Sequence, residues 1–130
     1  MNDLFLKPGS ISWNELVTSD VEAAKKFYGT LFGWTFKEMS MPGDMKYNIV
    51  STGDREFGGL MKTPKEAGNM PPMWTNYVTV ENVDETAKNA KELGAKIAVP
   101  PMDIPDVGRF AVFQDPQGAM IAAITYKMKK

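Results

Sequence analysis

The chain reads as an α+β protein of two tandem βαβββ modules. Their strands are expected to form one curved mixed sheet around a shared cleft, with the helices outside. Three observations predict this. The order strand, helix, three strands occurs twice; each helix opens on a capping residue and closes on glycine; and the second copy restarts at a fixed offset. The whole, residues 1–130, is expected to be one domain with modules at about 10–63 and 73–126 and a linker at 64–72, since Pro64 to Pro72 (PKEAGNMPP) has linker composition.

In the first module Ile11–Val17 (ISWNELV) alternates as a strand, with Trp13, Glu15 and Val17 on one face and Asn14 and Leu16 on the other. A helix start follows at Ser19-Asp20-Val21-Glu22, where Ser19 and Glu22 have capping-box spacing. Val21, Ala24, Tyr28 and Leu31, with Phe27, make an apolar helical stripe that Gly33 ends. Three strands are expected at Trp34–Met39, Met45–Thr52 and Glu56–Thr63, separated by the turn signals Met41-Pro42-Gly43-Asp44 and Thr52-Gly53-Asp54.

The second module repeats this plan. Trp74–Val80 is a strand, Asn82 an N-cap with Glu85 three residues on, and Val83, Ala87, Ala90 and Leu93 the helical stripe that Gly94 closes. Strands are expected at Ala95–Val99, Arg109–Gln114 and Ala119–Tyr126, with Asp115-Pro116-Gln117-Gly118 a tight turn between the last two. At an offset of 62, Asn14/Asn76, Val21/Val83, Lys26/Lys88 and Leu31/Leu93 are identical, and the matched order of elements is the stronger signal.

Composition narrows the chemistry. Fifteen Lys+Arg against sixteen Asp+Glu argue against a nucleic-acid surface. The basic residues Lys127, Lys129 and Lys130 read as a solvated tail. With no Cys there is no thiolate nucleophile or zinc–thiolate site, and with no His no imidazole base or ligand. No apolar run approaches the ~20 residues of a membrane span. Leu4-Phe5-Leu6 is too short for a signal peptide, so the expected location is the cytoplasm. Neither G-x-G-x-x-G nor a P-loop occurs, and Gly58-Gly59 reads as a bulge or a close backbone approach.

The strings WNELVTSDVEAAKKFYGTLFGW, WTNYVTVENVDETAKNAKELGA and FQDPQGAMIAAI resemble the vicinal oxygen chelate superfamily, which includes glyoxalase I, bleomycin-resistance proteins and extradiol dioxygenases; the resemblance covers roughly 10–126. It implies a site where metal-using members hold a divalent ion with four side chains, one per cleft strand. Here those positions are Trp13, the vicinity of Gly59–Met61, Thr75 and Ala122. None supplies a charged or imidazole donor, so the expected metal is none and the expected cofactor none. Members that bind without a metal sequester a ligand in the cleft. The resemblance also implies a homodimer.

Strand phase nominates the cleft lining: Trp13, Glu15, Tyr77 and Met120, with Trp34, Tyr47, Met61, Trp74 and Phe113 as further candidates. Aromatic walls suit flat apolar ligands, yet the same rings would also fill an ordinary core. Glu15, between Trp13 and Val17, is the candidate catalytic acid or base; it would equally serve as a hydrogen-bond acceptor or as a structural partner of Arg109. Arg109 would anchor an anionic ligand or act structurally. Ten Met suit an adaptable cleft or simple gap-filling. The expected function is metal-independent binding or sequestration of an apolar or aromatic small molecule. The alternatives are an enzyme using Glu15 and an interaction module with a vestigial cleft.

Overall fold

Alternating strands and capped helices appear in the predicted order in the computed structural model, which describes residues 7–41, 45–64 and 70–127. They are β1 (Ile11–Thr18), α1 (Val21–Phe32), β2 (Thr35–Met41), β3 (Met45–Thr52), β4 (Arg55–Lys62), β5 (Met73–Thr79), α2 (Val83–Glu92), β6 (Lys96–Ile104), β7 (Gly108–Gln114) and β8 (Met120–Tyr126). The chain divides into two compact units. One is Trp13–Trp74; the other joins the residues up to Ser12 to those from Thr75 onward. Both units are α+β.

Within Trp13–Trp74 the strand order is β2-β3-β4-β1. β1 runs parallel to β4, while β2, β3 and β4 are antiparallel neighbours, so the sheet is mixed. Leu16, Val50 and Leu60 form a buried cluster on the α1 side, with Val21, Ala24, Tyr28, Trp34, Phe36 and Phe57 packed against it. The Asp20 carboxylate caps α1 by accepting from Ala23 N–H at 3.0 Å. Asp20 thus takes the place that Asn82 takes in the other unit, and the cap of α1 is Asp20 rather than the Ser19 of the capping-box spacing. Gly33 closes α1 at φ 74° and donates to Gly29 O, a left-handed conformation that favours glycine.

The other unit has the order β5-β8-β7-β6, with β5 parallel to β8. Gly9 donates to Thr79 O and Thr79 to Ser10 O, which ties the residues before β1 to β5. Val83, Ala87 and Ala111 form the buried cluster beneath α2, joined by Val80 and Ile97. Asn82 caps α2 through Glu85 N–H, and Asp84 and Glu85 at its start with Lys91 at its end complement the helix dipole. The Asp115 carboxylate accepts from Gln117 and Ala119 N–H, building the β7–β8 turn.

Strand ends differ from expectation by one or two residues, except at β6. That strand continues past Val99 through Pro100 and Pro101 to Ile104. It lies at the end of its unit's strand order, and its register shifts between Ile97, Val99 and Met102 absorb the prolines. The expected turn at 41–44, the middle of the expected linker and the end of the basic tail lie outside the described residues. Among the described residues, no helix is long and apolar enough to cross a membrane.

Candidate functional site

In Trp13–Trp74, register fixes which side chains share the sheet face turned away from α1. Glu15 pairs with Gly59, and Gly59 with Ile49; Val17 pairs with Met61, Met61 with Tyr47, and Tyr47 with Met39. Laterally paired residues share a face, and Trp13 joins them two positions before Glu15. Trp13, Glu15 and Tyr47 are 3%, 4% and 1% exposed.

The Trp13 indole Nε1–H donates to the Tyr47 hydroxyl at 3.0 Å, although β4 separates their strands. Gly59 explains the reach, because a Cβ there would overlap the Tyr47 hydroxyl and ring edge. The phenol lies across the bare backbone of β4, with Glu15 opposite the same glycine. This face therefore carries an indole, a phenol, a carboxylate and the thioether side chains of Met39 and Met61. Gly58 serves a different approach, since a Cβ there would strike Asn14 O on β1.

In the other unit, Tyr77, Ala122 and Val112 form one lateral row and Thr79, Ile124 and Phe110 the next. Thr75 and Met120 share their parity. The Tyr77 and Phe110 rings lie 5.9 Å apart. Ser12 Oγ is 2.6 Å from both Thr79 Oγ1 and Tyr126 Oη, a buried run of three hydroxyls. Burial pushes the Tyr126 phenol up to about 12, and the Ser12 hydrogen bond partly offsets this.

Four nominated residues stand elsewhere. Trp34 packs into the α1-side cluster, stacked on Tyr28, and Trp74 donates from Nε1 to the Tyr28 hydroxyl. Phe113 pairs with Ile121 and shares the parity of Ala111, beneath α2. Arg109 is engaged within its own unit, with Nε and Nη2 on the Asp84 carboxylate and Nη1 on Asp103. That fork raises the guanidinium pKa and holds Asp84 below the usual carboxylate range.

Sequence reasoning named Gly59 but not the ring laid across it. It missed Ser12 and Tyr126, for which hydroxyl residues in phase with Thr79 were the available signal. At the positions where the resemblance puts metal ligands stand an indole already bonded to Tyr47, a glycine covered by that phenol or the nearby Met61 thioether, a threonine and an alanine. That donor set does not fit a divalent cation. Among the described residues, no group of three His, Cys, Asp or Glu side chains is placed to hold one.

Residues 10–123 match the model of the Glyoxalase/Bleomycin resistance protein/Dioxygenase superfamily. CFP32 of Mycobacterium tuberculosis (strain CDC 1551 / Oshkosh), whose name proposes a glyoxylase, is 38% identical over 116 residues, covering 89% of this chain and 44% of that protein. The anthracycline biosynthesis protein DnrV of Streptomyces peucetius is 34% identical over 127 residues, 88% of this chain and 46% of the relative. The chain thus spans less than half the length of these curated relatives. Among solved structures, hypothetical protein BH1468 from Bacillus halodurans C-125 aligns with TM-score 0.71 at 13% identity, over 95% of this chain and 99% of that one. A single-residue variant of Streptomyces coelicolor methylmalonyl-CoA epimerase, in complex with 2-nitronate-propionyl-CoA, aligns with TM-score 0.69 at 15% identity, over 94% and 100%. At such identities the structural likeness speaks for the fold alone, whereas the family model covers most of the sequence: the chain belongs to the glyoxalase/bleomycin resistance protein/dioxygenase superfamily.

Proposed function

We propose that the protein binds a small, flat, largely apolar molecule without a family-type metal centre. The ligand would lie on the sheet face that carries Trp13, Glu15, Tyr47 and Met61. The observation that carries this reading is the Trp13–Tyr47 hydrogen bond laid across Gly59, which puts aromatic surface where metal-using relatives need donor atoms. Indole and phenol rings offer stacking area, thioethers adapt to ligand shape, and the Glu15 carboxylate accepts a hydrogen bond from a ligand hydroxyl or amine. The name of DnrV places that relative in anthracycline biosynthesis, and anthracyclines are fused-ring aromatic compounds; this agrees with a flat ligand.

One observation favours a second reading, a vestigial cleft: Trp13, Glu15 and Tyr47 are almost wholly buried, as in a filled core. Titration with 1,8-dihydroxyanthraquinone, followed by calorimetry with and without EDTA, separates the two. The binding reading expects a saturable one-to-one isotherm, indifferent to EDTA and abolished in Trp13→Ala. Absence of binding to this probe and to other planar aromatics supports the vestigial reading. Conversion of a bound compound that stops in Glu15→Gln would replace sequestration by catalysis.

A further inference from the structure

Three of the ten methionines gather at one end of one sheet face. Met41 on β2 pairs directly with Met45 on β3, and Met39 stands two residues before Met41 on the same strand. Strand alternation therefore sends all three side chains out on the side that carries Tyr47. In the next lateral row Tyr47 separates Met39 from Met61, so Met61 stays with the aromatic face. The neighbours of opposite phase are polar: Glu38, Ser40 and Lys46, with Lys46 and Glu38 3.5 Å apart as an ion pair. The thioethers are thus sorted onto one face.

Directly opposed residues of an antiparallel pair have Cβ atoms ~4.5–5.5 Å apart, and diagonal neighbours stand ~7–8 Å apart. Met45 is lateral to Met41 and diagonal to Met39, and unbranched side chains with three rotatable bonds can bring the three sulfurs to one point. Gap-filling in a core does not account for the group, because Met45 is 37% exposed and Met39 half-buried, while Met41 is 9% exposed. Soft thioether sulfur selects soft ions such as Cu(I), whereas hard divalent ions want oxygen donors. The chain has neither Cys nor His, so its thioethers are its soft donors.

We propose that Met39, Met41 and Met45 form a binding site for a soft monovalent cation of the Cu(I) class. Met41 is shielded from solvent and Met45 is open to it, which gives the ion both a protected donor and a way in. The site differs from the divalent centre of metal-using relatives in position, donor atom and ion charge. None of its residues stands at Trp13, Gly59–Met61, Thr75 or Ala122. It uses neither Trp13 nor Glu15, and it stands or falls independently of ligand binding.

Ag(I) is the probe, being soft, monovalent and stable in air. Silver nitrate is titrated in chloride-free buffer, followed by calorimetry and by NMR of protein labelled at the methionine methyl carbons. The expected result is a single Ag(I) per chain, with the Met39, Met41 and Met45 methyl signals shifting and those of Met102 and Met120 staying in place. Replacing all three residues, Met39→Leu with Met41→Leu and Met45→Leu, should weaken binding at least tenfold. Met102→Leu, at a methionine 40% exposed in the other unit, should leave it unchanged. Leucine nearly conserves methionine volume, and the methyl shifts are read on the wild type, so the test stands even if the triple variant fails to fold. No saturable Ag(I) binding, shifts spread evenly over all the methionines, or an affinity unchanged in a folded triple variant would each overturn the proposal. So would Zn(II) binding the same three residues as tightly.

Discussion

Gly59 shows how one missing Cβ sets the chemistry of a sheet face. The Tyr47 ring occupies the space a side chain would need, and through it Trp13 on β1 is bonded to β3. Gly59→Ala should therefore cost about 1–3 kcal/mol, the usual range for overpacking, read as a lowered urea midpoint at unchanged slope. In a Tyr47→Leu background the same substitution should cost much less, because the obstructing phenol is gone; equal costs in both backgrounds would show that the ring is not the obstacle. Tyr126 gives a second residue-scale expectation. Its phenol ionises near 12 in the folded chain, above the 10.0 of an unperturbed tyrosine, so the unfolded state loses its proton first. The stabilisation from Tyr126 is complete below pH 10 and is lost as pH rises through about 12. Equilibrium unfolding at several pH values should show that decline in the wild type and a shallower one in Tyr126→Phe.

Among the elements, α1 owes its start to Asp20 rather than Ser19. Asp20→Ala should lower stability by about 1 kcal/mol in denaturant titration, and Ser19→Ala by little. Caps, helical stripes and strand alternation were legible in the sequence because each is a local pattern of a few residues. The passage of β6 through Pro100 and Pro101 was not legible. Proline reads as a strand stop until the neighbours are known, and here an end position in its sheet and two register shifts accommodate both rings. Orientation followed the same division. Trp13, Glu15, Tyr77 and Met120 stand on the faces their strand phase implies. Trp34 precedes β2 and Trp74 sits near the start of β5, where phase is weakly defined; both join the aromatic cluster around Tyr28. Arg109 was ambiguous because its partners come from other elements, Asp84 on α2 and Asp103 on β6.

At the scale of the whole chain, one order of strands and helix, repeated in the two units, supplies the architecture. The fold and the family follow from patterns spread over most of the sequence. The site depends on side chains that meet across strands, such as Tyr47 over Gly59, and no local pattern announces them. Under the proposed function, aromatic surface rather than a metal carries ligand binding. Native mass spectrometry of gently purified protein tests it most directly, because bound metal and retained ligand are weighed together. The expected spectrum is a chain free of stoichiometric divalent ions, with an adduct of small-molecule mass that is lost on collisional activation and absent from Trp13→Ala. A stoichiometric divalent ion that persists in the gas phase and returns after chelation and reconstitution would contradict it.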